Sequence, residues 1–318
     1  MSHCLASAEA IVPVIRCKGT NYWGNRQRKG KLFLSTGLFF SENTRVSSKI
    51  VLVFFLQRTK KMREKLAVWG NLCTFVAKLP VMISTKNIKV VAFDADDTLW
   101  DCQGHFEVVM EQLYDELVPW TDRETAALEL FATERKNMRL LGFGVKAFTL
   151  SILETAMRVS RNGLSSDVIS RLLQACYTLL EFPCTPLPGV EETLQWLKAK
   201  TPYRLVVFTK GELLDQQHKM ERSGLDRYFG HTEITSDKGE AEFRQLCLKL
   251  GVEPREMLMV GNSLKSDIAP ALAVGCQAVY VPFHVTWQLE HADDIDHPHM
   301  EQIAHFAELK KIFCRNHS

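Results

Sequence analysis

The sequence of 318 residues predicts an α/β protein: a doubly wound parallel sheet, interrupted after its first strand by an all-helical segment. Three observations carry this expectation. From residue 88 onward, short apolar runs rich in β-branched residues alternate with amphipathic stretches, as strands covered by helices on both faces do. Residues 103 to 182 contain no such run, and their apolar residues recur at helical spacing. Several strand candidates end in polar residues, where open α/β sheets place their ligands.

Taken in order, "IKVVAFDA" (88–95) is the first strand. The helical segment follows through "FEVVMEQLYDELV", "ALELFATERKNMRLL", "KAFTLSILETAMRV" and "VISRLLQACYTLLEF", and reads as a second domain over 103–183. A helix over 189–199 opens behind Pro188 and Gly189, and leads to the strand "YRLVVFTK". Helices over 211–223, 239–250 and 265–274 run into Gly224, Gly251 and Gly275, which fall where helix ends require positive φ. "MLMVGN" and "QAVYVP" supply further strands. Residues 82–102 and 184–318 thus form a Rossmann-like core.

The overall charge of +2 conceals a division. Residues 1–81 carry 14 Lys and Arg against 3 Asp and Glu, a net +11, whereas residues 82–318 carry 25 against 34, a net −9. The basic stretch has neither a repeat nor clean helical periodicity, so an organised nucleic-acid reader is not expected in it. "KIVLVFFL" is too short to span a bilayer, and "LAVWGNLCTFVAKLPVMI" is interrupted by Asn71 and Lys78, so no membrane span is expected either. Residues 1–31 are basic as transit peptides are, but lack their amphipathic pattern. Charge and periodicity both change at Met82, which is expected to be the natural start, with residues 1–81 an upstream extension outside the folded enzyme. Nine cysteines, an odd number with no Cys-x-x-Cys pair, lie mainly among apolar neighbours, as Cys176, Cys247 and Cys276 do. Buried thiols in a reducing, cytoplasmic setting are expected from them.

The chemistry is concentrated in "VVAFDADDTLW" (90–100), where three carboxylates crowd the end of an apolar run. Like charges that are partly buried repel one another and lose hydration unless a cation or proton compensates them. On a strand, residues i and i+2 share a face about 6 to 7 Å apart, so Asp94 and Asp96 point together. Asp97 points away and reads as a turn or helix-capping residue. A hard cation such as Mg²⁺, which uses one or two carboxylates with water and a phosphate oxygen, would relieve the repulsion. Three features fall at equivalent strand ends: Thr209, Lys238 after "TEITSD", and Asp267 in "GNSLKSD" after "MLMV".

With these residues in place, the chain resembles the haloacid dehalogenase superfamily over residues 88 to about 285. The family's first motif, D-x-D-x-T, is matched by Asp94-Ala95-Asp96-Asp97-Thr98. The helical insertion is similar to the cap called C1. The resemblance implies a Mg²⁺-dependent phosphatase acting on a small phosphorylated metabolite. Asp94 would be the nucleophile that forms an aspartyl-phosphate, and Asp96 the general acid and base. Thr209 and Lys238 would bind the phosphoryl group, with the backbone amides of Lys210 and Gly211 at a helix start as further donors. Asp94, the Asp96 backbone carbonyl and Asp267 would hold the metal. Asn262 departs from the family's G-D-x-x-x-x-D pattern at its first acidic position; it is either a ligand or a partner of one.

Two other functions share these features. A 2-haloacid dehalogenase has the same nucleophile but no alcohol to protonate and no need of a metal, which Asp96 and Asp267 argue against. A non-catalytic phospho-ligand-binding or scaffolding protein is the second, prompted by Asn262 and the basic stretch. Elsewhere, "GFGVKAF" could form a substrate-facing loop with Lys146 reaching an anionic substrate, but is read first as a glycine helix break with an exposed lysine. His284 and Trp287 of "VPFHVTWQLE" fall near the carboxyl edge and could line the site, with core packing the preferred reading of Trp287. His291, His297 and His299 of "EHADDIDHPH" are read as a solvated loop.

Overall fold

The computed structural model describes residues 83–315; the expected basic extension and Met82 lie outside the described residues. Six strands, β1 (Val90–Phe93), β2 (Arg204–Lys210), β3 (His231–Thr235), β4 (Met257–Gly261), β5 (Gln277–Tyr280) and β6 (Met300–Gln302), form one sheet in the spatial order β3-β2-β1-β4-β5-β6. Every pairing is parallel. The chain builds outward from β1 in both directions, so the order reverses beside β1. A crevice therefore opens at its carboxyl end.

The continuous apolar runs follow from burial on both sides. Val91, Phe93, Leu205, Val207, Leu258 and Val260 enter one core with α5 (Val190–Lys200) and α9 (Leu309–Cys314). The alternate residues Val90, Ala92, Val206, Phe208, Met257 and Met259 enter another with α7 (Glu240–Leu250) and α8 (Ala269–Val274). Each fully buried side chain of this size contributes roughly 1.5–3 kcal/mol, so a polar residue on either face would be disfavoured along the whole strand.

Between β1 and β2 the chain forms α1 (Gln103–Leu117), α2 (Arg123–Leu141), α3 (Val145–Val159) and α4 (Ser166–Thr178). Their apolar faces close on one another in a separate core containing Leu113, Leu130, Ile152 and Leu172. No helix among the described residues is long and apolar enough to cross a membrane.

Local departures from the expected elements have identifiable causes. The helix expected over 211–223 begins only at Leu213, as α6 (Leu213–Ser223). The helix expected over 265–274 is split into a wide turn over Leu264–Ile268 and the short α8. Pro270 has no N–H to donate to a carbonyl four residues back, and the preceding turn is instead wound wide, with Ile268 N bonded to Ser263 O at 3.1 Å. The strand β6 was not expected, because "MEQ" has no apolar run; it is held by pairing to β5. Gly224, Gly251 and Gly275 end their helices with φ of 64°, 66° and 98°, as expected.

Candidate active site

The segments after β1, β3 and β4 meet at one buried cation. Lys238, 3 % exposed, places its ammonium on Asp94 Oδ1 and on Asp267 Oδ1, the latter at 2.7 Å. Asp94 Oδ2 accepts from Thr98 Oγ1 at 3.1 Å, and that hydroxyl also lies 3.1 Å from Asn262 Oδ1. Asp267 Oδ2 accepts from the Ser263 amide at 2.9 Å. Burial, followed by the charge of Asp267, pushes the Asp94 carboxyl up to about 7 against the pull of Lys238. Burial works against the Lys238 charge, yet Asp267 and Asp94 hold its ammonium above the ordinary lysine value.

Asp96 sits in a second arrangement beside the first. Its carboxylate accepts from Trp100 Nε1 at 2.8 Å, from Gln216 Nε2 at 2.8 Å and from Lys219 Nζ at 3.1 and 3.2 Å. Burial alone would raise this carboxyl, but the Lys219 ammonium with the Gln216 and Trp100 hydrogen bonds brings it below the usual carboxylate value. Lys219 and Gln216 come from α6, whose buried face also carries Asp215, 3.4 Å from the Lys219 ammonium. Asp97, at φ 61°, accepts from the amides of Cys102 and Gln103 at the start of α1, in the turn and capping role expected of it.

Asp94, Asp96, Thr209, Lys210, Gly211, Lys238, Asn262 and Asp267 all line one cavity of about 180 Å³. Gly211 sits differently from expectation. The Gly211 N–H donates to Thr235 O at 3.0 Å, so it is not the free donor expected at a helix start, and α6 opens two residues later. The Lys210 ammonium turns to Ser266 Oγ at 2.7 Å and to Glu290, and lies 4.0 Å from the centre of the Phe143 ring.

The opposite wall comes from the helical insertion, including Phe106, Glu134, Asn137 and Phe143. Trp287 lines the cavity with its ring 6.0 Å from Phe143, which corrects its reading as a core residue. Lys146 lies outside the cavity lining, and its ammonium pairs with Glu212 at 2.5 Å. Cys176, Cys247 and Cys276 are buried free thiols, and 291–299 carry no regular element.

The donor set suits a hard cation. Two carboxylates and an amide oxygen, from Asp94, Asp267 and Asn262, bound the same space. No three His, Cys, Asp or Glu side chains gather as a metal group among the described residues. Mg²⁺ typically keeps several waters and takes one or two carboxylates. Gly261 leaves room for this arrangement: a Cβ there would stand 2.3 Å from Asp267 Oδ2. Gly261→Ala is therefore expected to displace the Asp267 carboxylate and to lower activity by about 10–100-fold, read as kcat/KM of the variant against the unaltered protein.

Sequence motifs did not disclose Trp100, Gln216, Lys219 or Glu134. A signal for Gln216 and Lys219 did exist. With Asp215 they put polar residues on the face of α6 that also buries Met220, where an amphipathic helix should carry apolar ones.

A doubly wound α/β enzyme with carboxylates and a buried lysine at the carboxyl ends of its strands is the class that this sheet and site define, and the comparisons with known proteins give the family. The chain belongs to the haloacid dehalogenase-like hydrolases, whose family model matches residues 88–275. Over 211 residues it is 28% identical to the glyceraldehyde 3-phosphate phosphatase of Methanothermobacter thermautotrophicus, across 63% of this chain and 88% of that one. It is 36% identical over 107 residues to the phosphoglycolate phosphatase of Haemophilus influenzae, covering 32% of this chain and 47% of that protein. Among solved structures, a haloacid dehalogenase-like hydrolase from Xanthomonas campestris superposes with a TM-score of 0.65 at 27% identity, over 75% of this chain and 97% of the other.

Proposed function

We propose that this enzyme is a Mg²⁺-dependent phosphatase that hydrolyses a phosphate monoester of a small metabolite through an aspartyl-phosphate on Asp94. The observation that carries the reading is the contact of Lys238 with both Asp94 and Asp267, beside Thr209, at the carboxyl end of the sheet. The phosphatase names of the relatives support the reaction class.

Asp94 attacks phosphorus, forming an O–P bond while the bond to the substrate alcohol breaks; the departing oxygen takes its proton from Asp96. In the second step Asp96, now ionised, accepts a proton from water as that water attacks the phosphoryl group and restores the Asp94 carboxylate. Lys219 favours ionised Asp96, which suits the second step and works against the protonated form that the first step draws on. Thr209 and Lys238 hold the phosphoryl oxygens and offset charge that spreads over them in the transition state. When bound by Asp94, Asp267, Asn262 and the Asp96 carbonyl, Mg²⁺ supplies further charge neutralisation to the phosphoryl group. The helical insertion acts as the cap that excludes bulk water and selects the alcohol. The buried free thiols support a reducing, cytoplasmic setting.

The roles of Asp94 and Asp96 separate in one experiment. With p-nitrophenyl phosphate the leaving group needs little protonation, so Asp96→Asn is expected to release about one equivalent of nitrophenol per enzyme in a burst and then stall, with phosphate retained on the protein. Undiminished steady turnover by that variant, or no Mg²⁺-dependent turnover by the unaltered protein, would sink the reading.

A further inference from the structure

The phosphate half of the cavity is rich in cations, and the alcohol half has none to spare. Among the described residues three lysines and no arginine or histidine line the cavity, and each lysine is already engaged: Lys238 by Asp94 and Asp267, Lys219 by Asp96 and Asp215, Lys210 by Glu290. On the side of the helical insertion Gln103 brings an amide at the start of α1, and the polar groups deeper in the wall, Glu134 and Asn137, offer acceptors. Asn137 spends its amide N–H groups on Ser151 Oγ at 3.2 Å and Glu154 at 3.0 Å, which leaves its carbonyl oxygen; the Ser151 hydroxyl donates to Ala147 O.

Glu134, on the same helix as Asn137, is the informative group. Its carboxyl lines the cavity among Phe106, Phe143 and Trp287, and no ion pair joins it to a cation among the described residues. Burial pushes it up to about 7, although the Trp287 indole N–H bonded to it pulls the other way. The Tyr114 phenol also feels its charge. A carboxyl in an apolar wall without a counter-charge resists ionisation, and a cationic ligand beside it would restore its charge, which makes it a candidate for binding one.

We infer that the alcohol part of the substrate carries an amino group, seated between Glu134 and Asn137 under the aromatic wall of Phe143 and Trp287, and that esters bearing a carboxylate at that place are disfavoured. This rests on the phosphatase reading of the same cavity, and it makes Glu134 a specificity-determining residue. The ammonium donates to the Glu134 carboxylate and the Asn137 carbonyl, and the rings flanking them favour a cation over an anion. A substrate carboxylate would meet the Glu134 charge with no free cation to receive it.

Three esters that share one ring and differ at its far end test the inference: the phosphates of tyramine, 4-ethylphenol and 3-(4-hydroxyphenyl)propanoic acid. With the full chain and Mg²⁺, kcat/KM is expected to be highest for tyramine phosphate, by about tenfold or more over the carboxylate ester. In Glu134→Gln the ratio of tyramine phosphate to ethylphenol phosphate should fall toward one, and Glu134→Lys should favour the carboxylate ester. Calorimetric Kd values for the same esters on Asp94→Asn should show the same order without turnover. Absence of hydrolysis by the unaltered protein would count against the phosphatase reading, and the Kd order would still decide this inference. Equal affinity for the three esters, a preference for the carboxylate, or ratios unmoved by both Glu134 substitutions would overturn it.

Discussion

Asp94→Asn is expected to lower kcat for p-nitrophenyl phosphate by on the order of 10⁴-fold or more, while the protein stays folded. The amide cannot open the reaction by attacking phosphorus, so the covalent route is lost rather than slowed. Folding should survive because the change removes one of two buried carboxylates that share Lys238, and the ion pair of Lys238 with Asp267 at 2.7 Å remains. The buried Asp94 carboxyl is raised by its surroundings to about 7, so its ionised form is disfavoured there and an isosteric neutral group relieves repulsion with Asp267. Steady-state kinetics together with a thermal midpoint check both halves. A variant that keeps even a hundredth of the original kcat would remove Asp94 from the nucleophile's role.

The parts of the site that could be read from the sequence are those fixed by backbone topology. Asp94, Thr209, Lys238 and Asp267 each follow or close a strand, and parallel strands built outward from β1 must bring their carboxyl ends together. Two strand periods and a spacing of motifs are enough to place them. The contacts of Asp96 were not legible in this way. Trp100, Gln216 and Lys219 reach it from a turn and from the flank of α6, and that convergence depends on where a helix lies over the sheet. Glu134 and Trp287 are further removed, since they meet only because the helical insertion closes over the segment after β5. The expected Gly211 donor failed for a local reason: β2 continues through Lys210, and its pairing with β3 claims the Gly211 N–H before a helix can start.

Lys238→Met makes the strongest demand on the account of the buried charges. Its side chain is 1% exposed, and removing the ammonium leaves Asp94 and Asp267 facing each other without a counter-charge, at an expected cost of about 3–5 kcal/mol. The pH dependence follows from the direction of the Asp94 shift. Its carboxyl titrates at about 7 when folded against 3.8 ordinarily, so between those values the folded protein holds a proton that the unfolded chain releases. Stability contributed through this group therefore falls as pH rises through that window and stays low above it. Without Lys238 the folded value rises further, so the loss of thermal midpoint in the variant should be small at pH 5 and largest above pH 8. If Mg²⁺ is held by the folded carboxylates, as proposed, and not by the unfolded chain, it should raise the midpoint of Lys238→Met more than that of the unaltered protein. Catalysis should stay impaired even when Mg²⁺ restores the fold, because the metal replaces a charge but not the donor that Lys238 offers to the phosphoryl oxygens. A variant whose midpoint at pH 8 equals that of the unaltered protein and ignores Mg²⁺ would mean that these carboxylates are not under mutual repulsion, and the case for a cation in this cavity would lose its physical basis.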